Sequence, residues 1–195
     1  MFGKNAICFT GHRTLNKQYL NMSSRTAEWD LLYQSIMNFC QRAYNKGWKT
    51  FLVGGALGVD MLAGLVIVEM MTRHACDDIK LHLCIPHKDY NRKWYKQSHD
   101  ELAYLKSYAT THVLHQDAMP FAIRMLFARN HFMVDNSMLT CAIYDGRVGT
   151  NGKGVGGTFE CLSYARNHRD KKVVCVMNPL ETNELGFCKE VWNTP

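Results

Sequence analysis

Residues 50–60, Thr50-Phe-Leu-Val-Gly-Gly-Ala-Leu-Gly-Val-Asp60, decide the fold. Residues 50–53 form a short apolar run typical of a buried β-strand, and Gly54-Gly55 closes it. Residues 59–72 are apolar on almost every face, which predicts a helix buried against a sheet. This stretch therefore predicts a strand, a glycine turn and a buried helix in direct succession.

The same alternation continues on both sides. Further strands are predicted at 5–10, 81–85, 112–114, 139–144 and 172–177, and further helices at about 29–43, 94–107, 120–135 and 158–167. Strands that alternate with helices of this length imply parallel crossovers, so we expect an α/β three-layer sandwich with a mainly parallel sheet. We find no repeat, low-complexity segment or linker, and residues 1–195 are predicted to form a single domain.

Helix and strand ends carry their own signals. Ser23 or Ser24 is the predicted N-cap of the first helix, and Gly47 is its predicted stop. Pro86 is predicted to end the strand 81–85, and Pro120 is predicted to open the fourth helix.

Composition excludes several function classes. The chain has eight cysteines, none of them in a CxxC pair, and nine histidines without an HExxH motif. Dispersed cysteines inside apolar runs indicate buried free thiols and not a disulfide framework or a metal site. We therefore predict no metal and no cofactor.

Charge and apolar patterning bear on location and partners. The N-terminus has no long apolar segment, and the longest apolar stretch, 61–71, contains Glu69 and is too short to span a bilayer. These features predict a cytoplasmic protein without a membrane partner. A formal net charge of +6 favours anionic ligands, although it is also compatible with a merely basic surface. No run of five or more Lys/Arg occurs, so a nucleic-acid partner is not expected.

Glycine-rich segments follow the predicted strands. In open parallel sheets, ligands bind outside the carboxyl ends of the strands. These ends carry Thr10-Gly11-His12-Arg13, Gly54-Gly55-Ala56-Leu57-Gly58, Pro86-His87-Lys88, Tyr144-Asp145-Gly146 and Gly152-Lys153-Gly154-Val155-Gly156-Gly157-Thr158. Glycine lets backbone approach a ligand closely, and free N–H groups at a helix N-terminus attract phosphate. A single glycine loop can be a bare turn, but several at one sheet edge predict a phosphate site.

Two named phosphate motifs are not supported. Gly152-x-Gly154-x-x-Gly157 matches GxGxxG, but it lies late in the chain and lacks the acidic ribose partner at the expected offset. The Gly152-Lys153 pair lacks the leading glycine and the following Ser/Thr of a Walker A loop.

Arg129, Asn130 and Glu160 are the polar candidates near these loops. Arg129 and Asn130 interrupt an apolar helix, where Arg129 is either a surface side chain or a planar fork that grips phosphate. Glu160 follows the glycine loop, where it could favour the helix dipole, bond ribose hydroxyls or act as a general base.

Five segments together resemble the SLOG superfamily, which joins the YpsA-like proteins, the Lonely Guy phosphoribohydrolases and the DNA-processing protein A family. They are Thr10 to Arg13, Gly54 to Asp60, Ile85-Pro86, Arg129 to Asp135 and Gly156 to Thr158. With the Trp94 region, the set is most similar to the YpsA-like branch. The resemblance implies a Rossmann-like fold that binds a nucleotide or a nucleotide-derived, ADP-ribose-type ligand, as a sensor, a sequestering protein or a regulator.

The resemblance also implies the site residues. The expected ligand-binding set is Thr10, Gly11, His12, Arg13, Gly54, Gly55, Ala56, Asp60, Pro86, Arg129, Asn130, Gly156, Gly157, Thr158 and Glu160. A homo-oligomer is left open.

The enzyme alternative is a phosphoribohydrolase-like protein that cleaves the N-glycosidic bond of nucleoside 5′-monophosphates, with Arg129 and Glu160 as catalytic residues. Lonely Guy enzymes use a glutamate at the position that matches Cys161, and Glu160 precedes that position by one residue, about 100° around a helix. We therefore expect binding in preference to catalysis. A DNA-binding role is a third alternative, for which the aromatic and basic residues show no groove-tracking pattern.

Overall fold

The computed structural model describes residues 2, 5–15, 18–19, 26–73, 76–115, 122–148, 150, 154–170 and 172–194. Its strands are β1 (Ala6–Gly11), β2 (Thr14–Leu15), β3 (Gln18–Tyr19), β4 (Thr50–Val53), β5 (Lys80–His87), β6 (Thr110–His115), β7 (Leu139–Ile143), β8 (Val173–Thr182) and β9 (Cys188–Asn193). Its helices are α1 (Ala27–Asn45), α2 (Val59–Arg73), α3 (Lys96–Tyr108), α4 (Ala122–Asp135) and α5 (Gly156–Arg166).

Among these residues, one seven-stranded sheet has the order β6-β5-β4-β1-β7-β8-β9. All neighbouring pairs from β6 to β8 are parallel, and β9 pairs antiparallel with β8. β1 lies in the middle, between β4 and β7, so the chain winds outward from β1 in both directions. The predicted α/β sandwich with a mainly parallel sheet is confirmed.

Helices cover both faces of the sheet. One buried cluster joins α1, α2 and α3 to the sheet, and a second joins α4 and α5 to its other face. α2 is buried along nearly its whole length, as its apolar sequence predicts. The two clusters make the structure three layers deep.

Several predicted boundaries are wrong, each for a local reason. β5 continues through Pro86, because its pairing with β4 ends at Leu83 and no ladder bond to β4 is needed there. α5 begins at Gly156 and not at residue 158, so the glycines form its first turn. Thr26 is the N-cap of α1, and its side chain accepts a hydrogen bond from Trp29 N at 3.2 Å. Ser23, Ser24, Pro120, Gly152 and Lys153 lie outside the described residues.

The antiparallel elements were missed. β8 runs to Thr182 and turns back into β9, and β2 pairs with β3 in a separate two-stranded sheet. β2 and β3 have only two residues each, and β9 carries the polar residues Lys189, Glu190 and Asn193, so these three strands lack the apolar run from which the other strands were predicted.

None of the described helices is long and apolar enough to cross a bilayer. All eight cysteines are free and buried in the sheet or against it.

Candidate functional site

A cavity of about 610 Å³ opens at the carboxyl edge of the sheet, where β1 ends beside β7. Its walls come from the end of β1, the start of α2, one face of α4 and the first turn of α5. Most of the predicted site residues line it: Thr10, Gly11, His12, Arg13, Ala56, Asp60, Arg129, Asn130, Gly156, Gly157, Thr158 and Glu160. Ligand pockets in proteins typically measure about 300–1,000 Å³, so the cavity has the size of a small-molecule site.

The N-terminus of α5 faces this cavity. Its N-cap residue is Val155, no side chain of the described residues caps the helix, and the first turn carries no acidic residue. Asn130 donates from Nδ2 to the Gly157 carbonyl at 3.3 Å, which fixes the orientation of that peptide. A Cβ atom added at Gly157 would meet nothing closer than 3.9 Å. The helix therefore presents an open, positively polarised end to the cavity.

Arg129 and Asp60 form a buried ion pair beneath the cavity. Arg129 donates from Nη1 to Asp60 Oδ2 at 2.9 Å, and the two side chains are only 6% and 7% exposed. Asp60 Oδ2 also accepts from the Ala56 N–H at 3.3 Å. Burial raises the pKa of Asp60 above its ordinary value, although the Arg129 charge acts to lower it. One nitrogen of the Arg129 guanidinium, which was expected to bind phosphate, thus already binds the Asp60 carboxylate.

One donor of the Arg129 guanidinium has no acceptor among the described residues. Its Nε is buried and has no hydrogen-bond partner among the described residues. A buried charged donor without an acceptor is unfavourable, which favours a ligand acceptor at this point.

Gly54 makes room for the ion pair. A Cβ at this position would lie 1.4 Å from Arg129 Nη1 and 2.4 Å from Asp60 Oδ2. The sequence suggested that Gly54 lets backbone approach a ligand, and the structure shows that it lets an arginine approach the backbone.

A second acid–base pair bridges α4 and α5. His131 Nε2 hydrogen-bonds Glu160 Oε1, and the His131 ring stacks on Tyr164 with centroids 3.7 Å apart. Glu160 Oε2 is buried and, among the described residues, has no hydrogen-bond partner. Sequence reasoning missed His131, because residues two apart on a helix face different sides and His131 shares no face with Arg129.

Glu160 faces the site and Cys161 does not, although the resemblance implied a catalytic glutamate at the position of Cys161. Glu160 lines the cavity, whereas Cys161 is fully buried in the core below α5. Burial raises the pKa of Cys161 well above its ordinary value, so this thiol stays neutral. The residue one position early is therefore the one that faces the site.

His12 ties the end of β1 to the segment after β7. His12 Nε2 lies 3.0 Å from Asp145 Oδ1, and Arg147 Nε binds both oxygens of Asp145. Burial lowers the pKa of His12, against the opposing charge of Asp145. Burial also acts to raise the pKa of Asp145, but the Arg147 hydrogen bonds outweigh it and hold that pKa at about 2. Asp145 appeared in a strand-end segment but not among the predicted ligand-binding residues.

A smaller cavity of about 210 Å³ adjoins the first one. Gly54 and Pro86 line it, together with His87, Tyr90 and Trp94. Gly55 lines neither cavity: its φ is +62°, and an added Cβ would lie 2.7 Å from Leu83 Cδ1. The predicted residues thus spread over two adjacent cavities, with Gly55 packed behind the smaller one.

Comparisons with known proteins agree with this architecture. The model of the YspA SLOG family matches residues 7–177. The uncharacterized SPbeta prophage-derived protein YoqJ of Bacillus subtilis (strain 168) is 28% identical over 126 residues, which are 60% of this chain and 68% of YoqJ. The X-ray structure of DNA processing protein A (DprA) from Streptococcus pneumoniae matches with a TM-score of 0.51 at 13% identity. That match covers 94% of this chain but only 53% of DprA, so the chain spans about half the length of that protein. At this identity, the likeness shows the fold alone.

Proposed function

The chain belongs to the YspA SLOG family, and on that premise we propose that it binds a nucleotide or a nucleotide-derived, ADP-ribose-type ligand in the larger cavity. Membership of this family supports a nucleotide-related binding or processing role in general. We propose that the protein acts through this binding, as a sensor, a sequestering protein or a regulator.

The open N-terminus of α5 is the observation that carries the proposal. Gly156, Gly157 and Thr158 form its first turn, which has no acidic residue and no side-chain cap from the part of the chain that the structure describes. Backbone N–H groups and the helix dipole together make such an end a phosphate site. The carboxyl end of β1 places Arg13 on the same cavity, which adds a cation to the wall.

The remaining site residues have two kinds of role in this proposal. Asn130 is a positioning residue, because it holds the Gly157 peptide by its carbonyl. Asp60 is also a positioning residue, since its carboxylate is bound by Arg129 and by the Ala56 N–H. Arg129 Nε and Glu160 Oε2 are the groups that have no partner among the described residues, and they are suited to phosphate and ribose hydroxyl groups respectively.

Thermal unfolding with matched ligands tests this proposal. We expect AMP and ADP-ribose to raise the melting temperature and adenosine to raise it far less, because the phosphate makes the main contact. At a ligand concentration of about 100 times Kd, the gain is about 2.7 kcal/mol, or roughly 5–10 °C for a chain of this size. Equal shifts with AMP and adenosine would contradict a phosphate site at α5.

A second candidate function is hydrolysis of nucleoside 5′-monophosphates, and the Glu160–His131 pair favours it. Glu160 lines the cavity, with one oxygen hydrogen-bonded to His131 and a second, buried oxygen that has no partner among the described residues. A general base needs such a carboxylate within hydrogen-bond reach of its proton donor. The position of the glutamate that the Lonely Guy resemblance implies holds the buried Cys161, so we propose binding without efficient cleavage.

Release of free base from AMP distinguishes the two candidates. We expect the wild-type protein to release base slowly or not at all. Turnover of about 1 per second or faster, lost in Glu160→Gln while AMP binding persists, would establish the hydrolase instead.

Three further proposals concern the domain, the location in the cell and the partner of the protein. We propose that residues 1–195 act as a single SLOG-type domain and that the protein is cytoplasmic, in keeping with its eight free cysteines. We also propose that its main partner is the small-molecule ligand and not nucleic acid, with homo-oligomerisation left open.

A further inference from the structure

The smaller cavity continues the larger one and does not form a separate site. Arg13, Ala56, Leu126 and Arg129 line both cavities, so these side chains form the boundary at which the two meet. At about 210 Å³ the smaller cavity falls below the roughly 300–1,000 Å³ of ordinary ligand pockets. It is therefore suited to one part of a ligand whose remainder lies in the larger cavity.

Aromatic side chains form the far wall of the smaller cavity. The Tyr90 ring packs edge-on against Trp94, with centroids 5.3 Å apart and planes at 78°, and the centroid of the His87 ring lies 6.4 Å from that of Tyr90. Trp94 is half-buried and packs against the main core. Rings held in this way offer a flat, apolar surface on which a planar group can stack. Such stacking tolerates different planar groups, because every base has a π-face.

Tyr90 is fixed in place by the backbone of the glycine turn. Its hydroxyl donates to the Gly55 carbonyl at 2.9 Å, and burial raises the pKa of the phenol, which stays neutral and able to donate. The close approach depends on Gly55, where an added Cβ would lie 3.0 Å from Tyr90 Oη. Gly55 therefore shapes the smaller cavity from behind.

We infer that the smaller cavity binds the planar base of a nucleotide whose phosphate lies at the N-terminus of α5. This inference rests on the proposed function, and it adds the position of the ring and the class of ligand. The ring stacks in the cavity lined by Tyr90 and Trp94, and the sugar crosses the boundary formed by Arg13 and Arg129. Arg129 lines both cavities, so it lies at the boundary that the sugar crosses.

The two cavities together favour nucleoside 5′-phosphates over bare sugar phosphates. The base supplies a planar face for the aromatic wall, and the phosphate supplies the charge for α5 and Arg13. The larger cavity has room for groups attached beyond the first phosphate, as in a nucleoside diphosphate sugar.

Two neighbouring aromatic residues provide a matched pair of variants. Trp94 lines the smaller cavity, whereas the Tyr95 side chain is 88% exposed and lines neither cavity. We expect Trp94→Ala to weaken AMP binding by roughly 5- to 140-fold, which corresponds to the about 1–3 kcal/mol that losing a base–aromatic stack typically costs. Binding of ribose 5-phosphate should change less than twofold, and Tyr95→Ala should change neither ligand. Isothermal calorimetry with the full chain measures all six affinities.

Trp94→Leu separates stacking from support of the fold, because leucine keeps apolar bulk at this half-buried position. We expect an unfolding midpoint close to that of the wild type, with most of the loss in AMP affinity retained. Unchanged AMP affinity in both Trp94 variants, or equal losses for AMP and ribose 5-phosphate, would overturn the position of the base.

Gly157→Val distinguishes failure of this inference from failure of the proposed function. If both probes bind the wild type and Gly157→Val weakens both, the phosphate site stands, and the Trp94 variants alone decide where the base lies. If neither probe binds the wild type, or Gly157→Val changes neither affinity, the proposed function fails, and this inference fails with it.

Discussion

Two side chains of α4, two residues apart, each hold a carboxylate, but their surroundings are opposite. Arg129 and Asp60 are 6% and 7% exposed, beneath the glycine turn after β4. His131 and Glu160 are 35% and 29% exposed, between α4 and α5. The first pair joins one end of the site to the core, and the second lies at its rim.

Because of this difference, we expect one pair to support the fold and the other to act on the ligand. A buried ion pair matters for stability, because removing either partner leaves an uncompensated charge in the interior. The rim pair is more open to solvent, so its hydrogen bond can be exchanged with water or ligand. The comparison therefore predicts that Arg129–Asp60 governs stability and that His131–Glu160 governs what the site does with its ligand.

The largest expected effect is on the free energy of unfolding, when one partner of the buried Arg129–Asp60 pair is removed. Asp60→Ala leaves the Arg129 guanidinium buried without its carboxylate and should lower the free energy of unfolding by about 3–5 kcal/mol. Urea unfolding of the two proteins measures the difference.

His131→Ala is the matched control on the same helix, and it should cost only about 1 kcal/mol, because this half-buried pair is more open to solvent than Arg129–Asp60. Similar losses in Asp60→Ala and His131→Ala would remove the distinction between the two pairs.

A smaller effect comes from adding a methyl group at two glycines of the site. Gly54→Ala places a Cβ 1.4 Å from Arg129 Nη1 and should cost about 1–3 kcal/mol, since the buried pair must move. Gly157→Ala meets nothing closer than 3.9 Å and should leave stability unchanged or raise it by up to about 1 kcal/mol, because it replaces a helical glycine. Thermal or urea unfolding checks both variants, and a destabilised Gly157→Ala would show that α5 does not begin as described.

Periodicity predicted the sandwich but not the contacts between its layers. Apolar runs such as 50–53 and 59–72 became β4 and α2 within a residue of the prediction, because burial of these faces is encoded locally. The order of the strands and the antiparallel β9 depend on pairing between distant segments, which a single sequence does not display.

For the candidate site, the sequence indicated the sheet edge but not the contacts between its side chains. Strand-end glycines pointed to the sheet edge at which the larger cavity opens, since parallel strands bring their carboxyl ends together. The partners of the polar residues were not predictable, because Asp60 meets Arg129 across 69 positions and His131 meets Glu160 across 29. Tyr90 gave no signal for the same reason, as its contact with Gly55 spans 35 positions.

The smallest expected effect concerns pH and the third bridge of the site, His12–Asp145. Burial lowers the pKa of His12, so between its folded and unfolded pKa values the unfolded chain binds more protons. Stability conferred by this group is therefore present above its ordinary pKa of about 6.5 and is lost as pH falls, by at most about 1.4 kcal/mol per pH unit. Asp145, with a pKa of about 2, stays ionised throughout this range.

His12→Gln should flatten this dependence. We expect the variant to lose less stability than the wild type between pH 7.5 and pH 5.5, as measured by urea unfolding at both pH values. A steeper loss in the variant would contradict a histidine held neutral by burial.

The central claim is that the open end of α5 binds the phosphate of a nucleotide, and calorimetry of ADP-ribose and AMP with Gly157→Val tests it most directly. Ser163→Val, in the same helix after Gly157 and outside both cavities, controls for adding a β-branched residue to α5. We predict that the wild type and Ser163→Val bind both ligands alike. Gly157→Val should bind them at least about tenfold more weakly, as expected from losing a charge-assisted contact, and should unfold at the same temperature. Equal affinities in Gly157→Val and Ser163→Val would contradict the claim.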